Sequence, residues 1–191
     1  MESPDLVAPV LLLAMPQVRD PFFRRSVVLL VAHEDGGSLG FIVNRSTDLK
    51  VADVVKDLSL AWPGAGEEQA LFGGPVQPQV GTVLFSADTD AGTEGSTEVV
   101  PGLRLSQHVT VLAELLKQPP RRFRLLLGYA GWGTGQLLSE IRRNDWLTAP
   151  VDPDLVFAEA LEEVWERGVR SVGVDPATLP AWTSGADAGA N

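Results

Sequence analysis

The sequence predicts a single α/β domain of the α+β type, in which helices flank a mixed β-sheet. Strand-like apolar runs follow one another in the first half of the chain, whereas strands and helices alternate in the second half. A tight hairpin joins two of the early runs, which excludes a purely parallel, doubly wound sheet. The chain has 191 residues, of which 45% are hydrophobic, so we place one domain at residues 1–180 and predict a disordered tail at residues 181–191.

Apolar and β-branched runs predict eight strands. The clearest pair is SVVLLVAH and SLGFIVNR, joined by EDGG, whose Asp35–Gly36 step favours the positive φ of a tight hairpin turn. The most apolar N-terminal run, Leu6–Met15, is too short to span a membrane and lacks a basic leader, so it is predicted to be a buried strand. The predicted strands cover residues 7–14, 26–33, 39–44, 69–73, 81–86, 97–100, 122–129 and 146–149.

Four helices are predicted from apolar spacing and end signals. In the second, Ser106 is a suitable N-cap and Pro119–Pro120 stop the helix. Its predicted apolar face comprises Val109, Leu112, Leu115 and Leu116. The last helix repeats the pattern with Leu161, Val164 and Trp165. The predicted helices follow Val51 and cover residues 106–118, 135–144 and 159–170.

Charge and composition exclude several classes of function. A net charge of -10 and a pI near 4.6 disfavour direct contact with DNA and other polyanions. The absence of cysteine excludes thiolate catalysis, and two histidines without ligand spacing give no reason to expect a metal or any other cofactor. No apolar run approaches the length of a membrane helix, so a cytoplasmic location without membrane contact is expected.

A local group of basic residues is the first candidate site. If the hairpin turn is centred on Asp35–Gly37, then residues near Arg25 and Ser26 lie opposite Asn44 and Arg45 across the strand pair. Arg24, Arg25, Asn44 and Arg45 are therefore expected to converge. Guanidinium groups that converge in an acidic chain indicate a pocket for a carboxylate or phosphate. The alternative is that these arginines form ordinary surface ion pairs with nearby acids.

A glycine-rich segment is the second candidate. In RLLLGYAGWGTGQLLSEIRRN, a strand leads through Gly128, Gly131, Gly133 and Gly135 into a helix, and such a loop can direct backbone N–H groups at an anion. It matches neither the dinucleotide fingerprint nor the Walker loop. Tight turning and close packing are the alternative, with Trp132 as a packing anchor.

Two further motifs have ordinary structural explanations. GGSLG at residues 36–40 matches a nucleophile elbow at Ser38, but it opens a strand instead of a helix, so Ser38 is interpreted as a turn residue. The RRFR run, Arg121–Arg124, has the alternation of a strand with one wet face and only weakly suggests a nucleic-acid strip.

Three blocks in a fixed order resemble the AlgH/YqgE family of bacterial proteins. They are LLLAMPQVRDPFFRRSVVLLVAHEDGGSLGFIVNR, LFGGPVQPQVGTVLF and LGYAGWGTGQLLSEIRRNDWL, within residues 11–147. The resemblance implies a cytoplasmic α/β domain with a mixed, partly barrel-like sheet, and it carries the label of a transcriptional regulator. The chain departs from the family pattern at Ser46, Thr134 and Ser86, and the last stands where a histidine is common.

The residues and the resemblance together predict a non-enzymatic regulatory or binding domain that acts through a protein partner or a small anionic ligand. The alternatives are a direct DNA-binding regulator and a hydrolase or nucleotide-dependent enzyme. Neither the partner nor the oligomeric state follows from the sequence. The candidate ligand-binding residues are Arg25, Asn44, Arg45, Gly73, Gly74, Gly131, Trp132 and Gly133.

Overall fold

The computed structural model describes residues 6–180, so the predicted tail at residues 181–191 lies outside the described residues. The strands are β1 Val10–Ala14, β2 Val27–Glu34, β3 Gly37–Ile42, β4 Ser46–Lys50, β5 Gln69–Phe72, β6 Val76–Ser86, β7 Thr97–Val100, β8 Leu103–Ser106, β9 Phe123–Gly133 and β10 Trp146–Ala149. The helices are α1 Val51–Asp57, α2 Val109–Lys117, α3 Gln136–Arg142, α4 Pro153–Val156 and α5 Leu161–Ser171, followed by a 3-10 turn at Pro176–Thr178.

The strands form one curled, mainly antiparallel sheet. Its order is β10-β1-β2-β3-β9-β6-β8-β7, and β5 joins β4 to β9 at the side of this path. The pairing of β5 with β9 is parallel and the other pairings are antiparallel. The prediction of a mixed, partly barrel-like α+β sheet is therefore confirmed.

Strand β9 connects the two halves of the sheet. Residues 123–129 pair with β6, whereas residues 130–133 pair with β3. The change of partner falls beside Gly128, which has a φ of +73°. There the backbone of Gly73–Gly74 approaches so closely that a Cβ on Gly74 would overlap the Tyr129 carbonyl. Glycine at these positions is required by the approach of two backbones.

The β2–β3 hairpin was predicted in the right place, with a different turn conformation. Glu34 pairs with Gly37, so Asp35 and Gly36 form the two-residue turn. The positive φ, +145°, lies at Gly37 and not at the Asp35–Gly36 step. Close packing also requires glycine at this position, because a Cβ on Gly37 would overlap the Trp132 carbonyl oxygen of β9. Ser38, interpreted as a turn residue, is the second residue of β3.

The strands β4 and β8, helix α4 and the 3-10 turn were not predicted from the sequence, and the predicted start of α2 was wrong. Ser106 ends β8 instead of capping α2, and its hydroxyl donates to the Gly95 carbonyl. The residue that precedes α2 is His108. Val109 is 51% exposed instead of buried, and Val111 takes its place in the core.

Three hydrophobic clusters fill the space between the sheet and the helices. One lies under α5, around Leu13, Phe41 and Trp165. A second lies under α1 and α2, where Phe85 and Leu115 are fully or almost fully buried. The third surrounds two tryptophans and the short helix α3. Within residues 6–180, no helix combines the length and apolar character that a membrane crossing needs.

Gly74→Ala tests the backbone approach that joins the two halves of the sheet. We expect a loss of about 3 kcal/mol or more in the free energy of unfolding, because the new methyl overlaps backbone atoms that cannot move aside. Gly133→Ala is the matched control, since a Cβ there has no heavy atom within 4 Å. Urea unfolding of both variants makes the comparison, and equal stability would contradict the role given to Gly74.

Candidate functional site

Asn44 and Arg45 converge on the segment before β2, as the hairpin register predicted. The Asn44 side chain accepts from the Val27 N–H at 2.8 Å and donates to the Arg25 carbonyl at 2.9 Å. The Arg45 guanidinium donates to the carbonyls of Pro21, at 2.5 Å, and Arg24, at 2.8 Å. Both side chains therefore hold backbone in place, and their role in binding a ligand stays a prediction.

Burial and charge act in opposite directions on Arg45. Burial lowers the pKa of its guanidinium, and the nearby carboxylate of Asp20 opposes this shift. The carbonyl oxygens that Arg45 contacts are neutral, so they stabilise the cation without cancelling its charge. Arg45 therefore holds in place the segment that carries Arg24 and Arg25.

The Arg25 side chain extends away from this segment and reaches α5. Its guanidinium lies 4.8 Å from the centre of the Trp165 ring, and Nη2 is 3.1 Å from Oε1 of Glu166. These groups, with Arg24 and Arg170, line a cavity of about 430 Å³, which we call the arginine cavity. A basic pocket at Arg25 was predicted from the sequence, but the contribution of α5 was not. Glu166 of α5 is 141 positions away from Arg25 in the chain.

The predicted glycines have structural neighbours of two kinds. Gly73 and Gly74 lie against Gly128–Ala130, as described above. Gly131 and Gly133 lie within β9, opposite Leu39 and Gly37, so this part of the glycine-rich segment is strand and not an open loop. Their predicted part in ligand binding is not established by these contacts.

Trp132 packs in an aromatic cluster with Phe23 and Trp146. Ring centres are 5.8–6.1 Å apart, and two of the three pairs are nearly perpendicular. One carboxylate oxygen of Glu140 accepts both indole N–H groups, at 2.9 Å from Trp132 and 2.8 Å from Trp146. The packing role proposed for Trp132 agrees with these contacts. Nothing in the sequence singled out Glu140.

A small cavity of about 310 Å³ borders the aromatic cluster. Its polar wall mixes two arginines with three acids, so no single sign of charge dominates it. Asp145 is already paired with Arg143 at 2.7 Å, and Glu140 is held by the two indoles. This arrangement favours a structural role for the polar groups over the binding of an ion.

An apolar depression lies between α1 and α2, and we call it the α1–α2 groove. It has a volume of about 450 Å³, and its floor is formed by buried residues of β6 and β9, Val83, Leu125 and Leu127. Its rim carries three large hydrophobic side chains, Leu49, Leu58 and Val109, which are 53%, 48% and 51% exposed. Exposed apolar side chains beside a groove are typical of interaction sites, so the groove is a candidate for one.

The polar residues of the groove differ between its two sides. At the β8–α2 side, Gln107 donates to Thr82 at 3.0 Å and the Ser106 hydroxyl donates to Gly95 at 2.8 Å, so these groups are satisfied internally. On α1, Asp53 and Asp57 are one helical turn apart. Neither forms a salt bridge within 4 Å of a described residue, and Asp53 interacts with Lys50 at longer range. The groove therefore combines an apolar floor with one acidic edge.

The RRFR strip carries paired arginines. Arg121 and Arg122 lie 3.7 and 2.5 Å from the carboxylates of Asp88 and Asp154. Arg124 donates to the carbonyls of Phe157 and Ala158 and lies 3.9 Å from Glu68. Burial raises the pKa of Glu68, and Arg124 opposes that shift.

Ser38 has a histidine neighbour that the hairpin register explains. His33 pairs with Ser38 across β2 and β3, and its Nδ1 lies 2.7 Å from the hydroxyl oxygen. No acid among residues 6–180 forms a hydrogen bond or salt bridge with His33, so the third group of a catalytic triad is missing from the described chain. The same residues contain no cluster of three potential metal ligands.

Fold and surface define a single-domain α+β protein with a half-barrel sheet, and comparison with known proteins assigns the family. The chain belongs to the AlgH-like family, whose sequence profile matches residues 11–177. It is 42% identical over 174 residues to a UPF0301 protein of Myxococcus xanthus, and the aligned region covers 91% of this chain and 94% of that relative. The predicted family is therefore confirmed.

Two solved structures share the fold. The solution structure of the AlgH protein from Pseudomonas aeruginosa superposes with a TM-score of 0.74 and 34% sequence identity, over 92% of this chain and 93% of that one. The crystal structure of protein DIP2367 from Corynebacterium diphtheriae gives a TM-score of 0.73 and 25% identity, over 89% of each chain. These similarities extend across nearly the whole domain.

Glu140→Ala tests whether the carboxylate stabilises the aromatic cluster. The change leaves two indole N–H groups without their acceptor, and we expect a loss of about 1–3 kcal/mol in the free energy of unfolding. Glu140→Gln retains an oxygen that can accept these bonds, so a smaller loss is expected. Urea denaturation is the measurement, and equal effects of the two substitutions would contradict the role given to the carboxylate.

Proposed function

We propose that this protein is a non-enzymatic, cytoplasmic regulatory domain that binds a protein partner through the α1–α2 groove. The observation that carries the proposal is the exposure of Leu49, Leu58 and Val109 around one apolar depression. Val109 is informative, because the apolar pattern of α2 places it with the core residues and yet no described element covers it. An apolar side chain in that situation is expected where a second molecule supplies the missing cover.

The partner segment is an amphipathic helix with basic flanks. A groove between two helices accepts the apolar face of a third, with anchors spaced three or four residues apart. Complete burial of a Leu or Val side chain contributes about 1.5–3 kcal/mol, so covering these three half-exposed side chains and their counterparts offsets part of the entropy that association costs. The carboxylates of Asp53 and Asp57 on the edge of the groove favour Lys or Arg beside those anchors.

The alternative of direct DNA contact has less support. Each guanidinium of Arg121, Arg122 and Arg124 is within 4 Å of a carboxylate. Such pairs leave little net positive potential along the RRFR strip, and the net charge of -10 opposes a polyanion at longer range. A role as a transcriptional regulator, which the family label suggests, would then operate through a protein and not through DNA.

Photo-crosslinking tests the groove directly. With benzoylphenylalanine in place of Leu58, we expect crosslinks to a segment that alternates apolar anchors with Lys or Arg. The matched control carries the same group in place of Val7, which is 71% exposed and lies outside the groove. A synthetic peptide with the crosslinked sequence is expected to bind the purified protein, and to bind Leu58→Asp at least about tenfold more weakly.

Two results would overturn this proposal. One is equal crosslinking of the same segment from positions 7 and 58. The other is unchanged peptide affinity in Leu58→Asp, provided that its unfolding curve matches that of the parent protein. Asp53→Asn with Asp57→Asn is expected to weaken binding by up to about tenfold and to reduce its dependence on salt.

The enzymatic alternative is tested at Ser38. If the His33–Ser38 pair activates the hydroxyl, a fluorophosphonate probe labels Ser38, and the label disappears in His33→Ala. Our proposal predicts no labelling of the parent protein above that of Ser38→Ala, because no third group orients His33 among the described residues. Intact-mass spectrometry measures the outcome, and stoichiometric labelling at Ser38 would replace the binding-domain proposal with a hydrolase.

A further inference from the structure

A cavity with aromatic walls lies beside the C-terminal end of α2, and we call it the tryptophan cavity. Its volume is about 280 Å³, and its aromatic wall is formed by Trp62, Phe123 and Phe157. Flat rings around a small space suit a ligand that itself has one aromatic ring. The cavity shares no lining residue with the α1–α2 groove, so it is a separate site.

The Trp62 ring is held in position by its neighbours. Its indole N–H donates to the Ala65 carbonyl at 2.9 Å. The backbone of Gly64 lies against the same ring, so closely that a Cβ there would be 2.5 Å from Cζ2 of Trp62. The Phe123 ring is centred 5.3 Å away at an angle of 46°. Rings that are already fixed lose little conformational entropy when a ligand packs on them.

The arginines that line the cavity are engaged with acceptors of the protein. Arg124 donates to the carbonyls of Phe123 and Phe157, at 3.0 Å each. Arg121 and Arg122 are paired with carboxylates that do not line the cavity. An anionic ligand would have to displace one of these partners, so the arginines do not favour an anion here.

Two carboxylates at the cavity have open acceptor positions. Among residues 6–180, no group donates a hydrogen bond to the carboxylate of Glu68 or Glu159. Glu68 lies 3.9 Å from Nη1 of Arg124, which is an ion pair without a hydrogen bond. Both acids also line a neighbouring depression of about 370 Å³, so the two spaces meet at these side chains. Because a carboxylate only accepts hydrogen bonds, the complementary ligand group is an N–H donor.

The carboxylate of Glu68 is only partly compensated. Its side chain is 30% exposed, and burial raises the pKa of the group while Arg124 opposes the shift. The backbone of Glu68 is fixed, because its N–H donates to the Ala65 carbonyl and its own carbonyl accepts from the Val51 N–H. A charged donor that reaches this carboxylate would stabilise its ionised form.

We propose that the tryptophan cavity binds a small aromatic monoamine, whose ring packs on Trp62 and Phe123 and whose ammonium group binds to Glu68 and Glu159. Each of the three lining arginines lies within 4 Å of a carboxylate other than Glu159. Glu159 therefore supplies the one negative charge that a monoamine neutralises. An ammonium group has donors and no acceptor, so it complements both carboxylates without competing for the donors of the arginines.

Calorimetric titration at constant ionic strength tests both parts of this ligand. Phenethylamine is compared with butylamine, which lacks the ring, and with 2-phenylethanol, which lacks the charge. We expect phenethylamine to bind with a Kd of about 1 mM or below, and each reference compound to bind at least about fivefold more weakly. A smaller difference for either compound, or failure of phenethylamine to bind at about 10 mM, would overturn the proposal.

The indole N–H of Trp62 reports where phenethylamine binds. Its signal in a proton–nitrogen correlation spectrum is assigned by its loss in Trp62→Phe, and it is expected to shift during the titration. The indole signal of Trp132, which belongs to the separate cluster around Glu140, is the control and should stay in place. An unmoved Trp62 signal, or equal shifts of the two signals, would overturn the proposal.

Matched substitutions separate a built site from general attraction to an acidic protein. Glu159→Gln is expected to weaken the binding of phenethylamine about tenfold. Glu163→Gln removes the same charge outside the cavity and should change the affinity less than about twofold. Equal affinities of the two variants, with unfolding curves that match the parent protein, would contradict the site. None of these measurements involves the groove, so a failure here leaves the proposed protein partner unaffected.

Discussion

The approach of two glycine-bearing backbones is the constraint on which the sheet depends. β9 pairs with β6 over its first half and with β3 over its second, and the exchange happens where Gly73–Gly74 meets Gly128. A side chain at any of these three glycines would collide with the opposite backbone. Without this contact the two halves of the sheet would not share a strand, and neither the half-barrel nor the helix positions above it would follow.

Local patterns predicted the elements that carry their own signals. The β2–β3 hairpin was found because its turn and its two apolar runs are adjacent in sequence, and the end of α2 was found because two prolines follow it. The strands β4 and β8 were missed since STDLK and LRLS are short and polar on one side, and they are strands only because β5 and β6 lie beside them. Such short strands are determined by tertiary pairing, which no local pattern contains.

In the candidate sites too, contacts within the hairpin were predicted from the sequence, whereas contacts made by distant parts of the chain were not. Hairpin register was enough to bring Asn44 and Arg45 to the segment before β2, but it did not reveal that their donors are occupied by carbonyls. Glu166 and Glu140 were not anticipated, because each meets its partners through folding of the C-terminal half onto the sheet. Val109 shows the opposite case, in which a residue of the apolar pattern was predicted to be buried and is instead 51% exposed among the described residues.

The net negative charge of the domain bears on long and short ligands differently. At physiological ionic strength the screening length is about 8 Å, so a charged group that touches one part of the surface interacts mainly with the side chains beside it. A long polyanion cannot confine itself to that distance, and its outlying phosphates would face a chain with ten more acidic than basic residues. Under the proposed function, the same excess of acids would favour a basic partner segment at the edge of the groove that carries Asp53 and Asp57. The acidic surface would therefore discriminate between partners by the length as well as the sign of their charge.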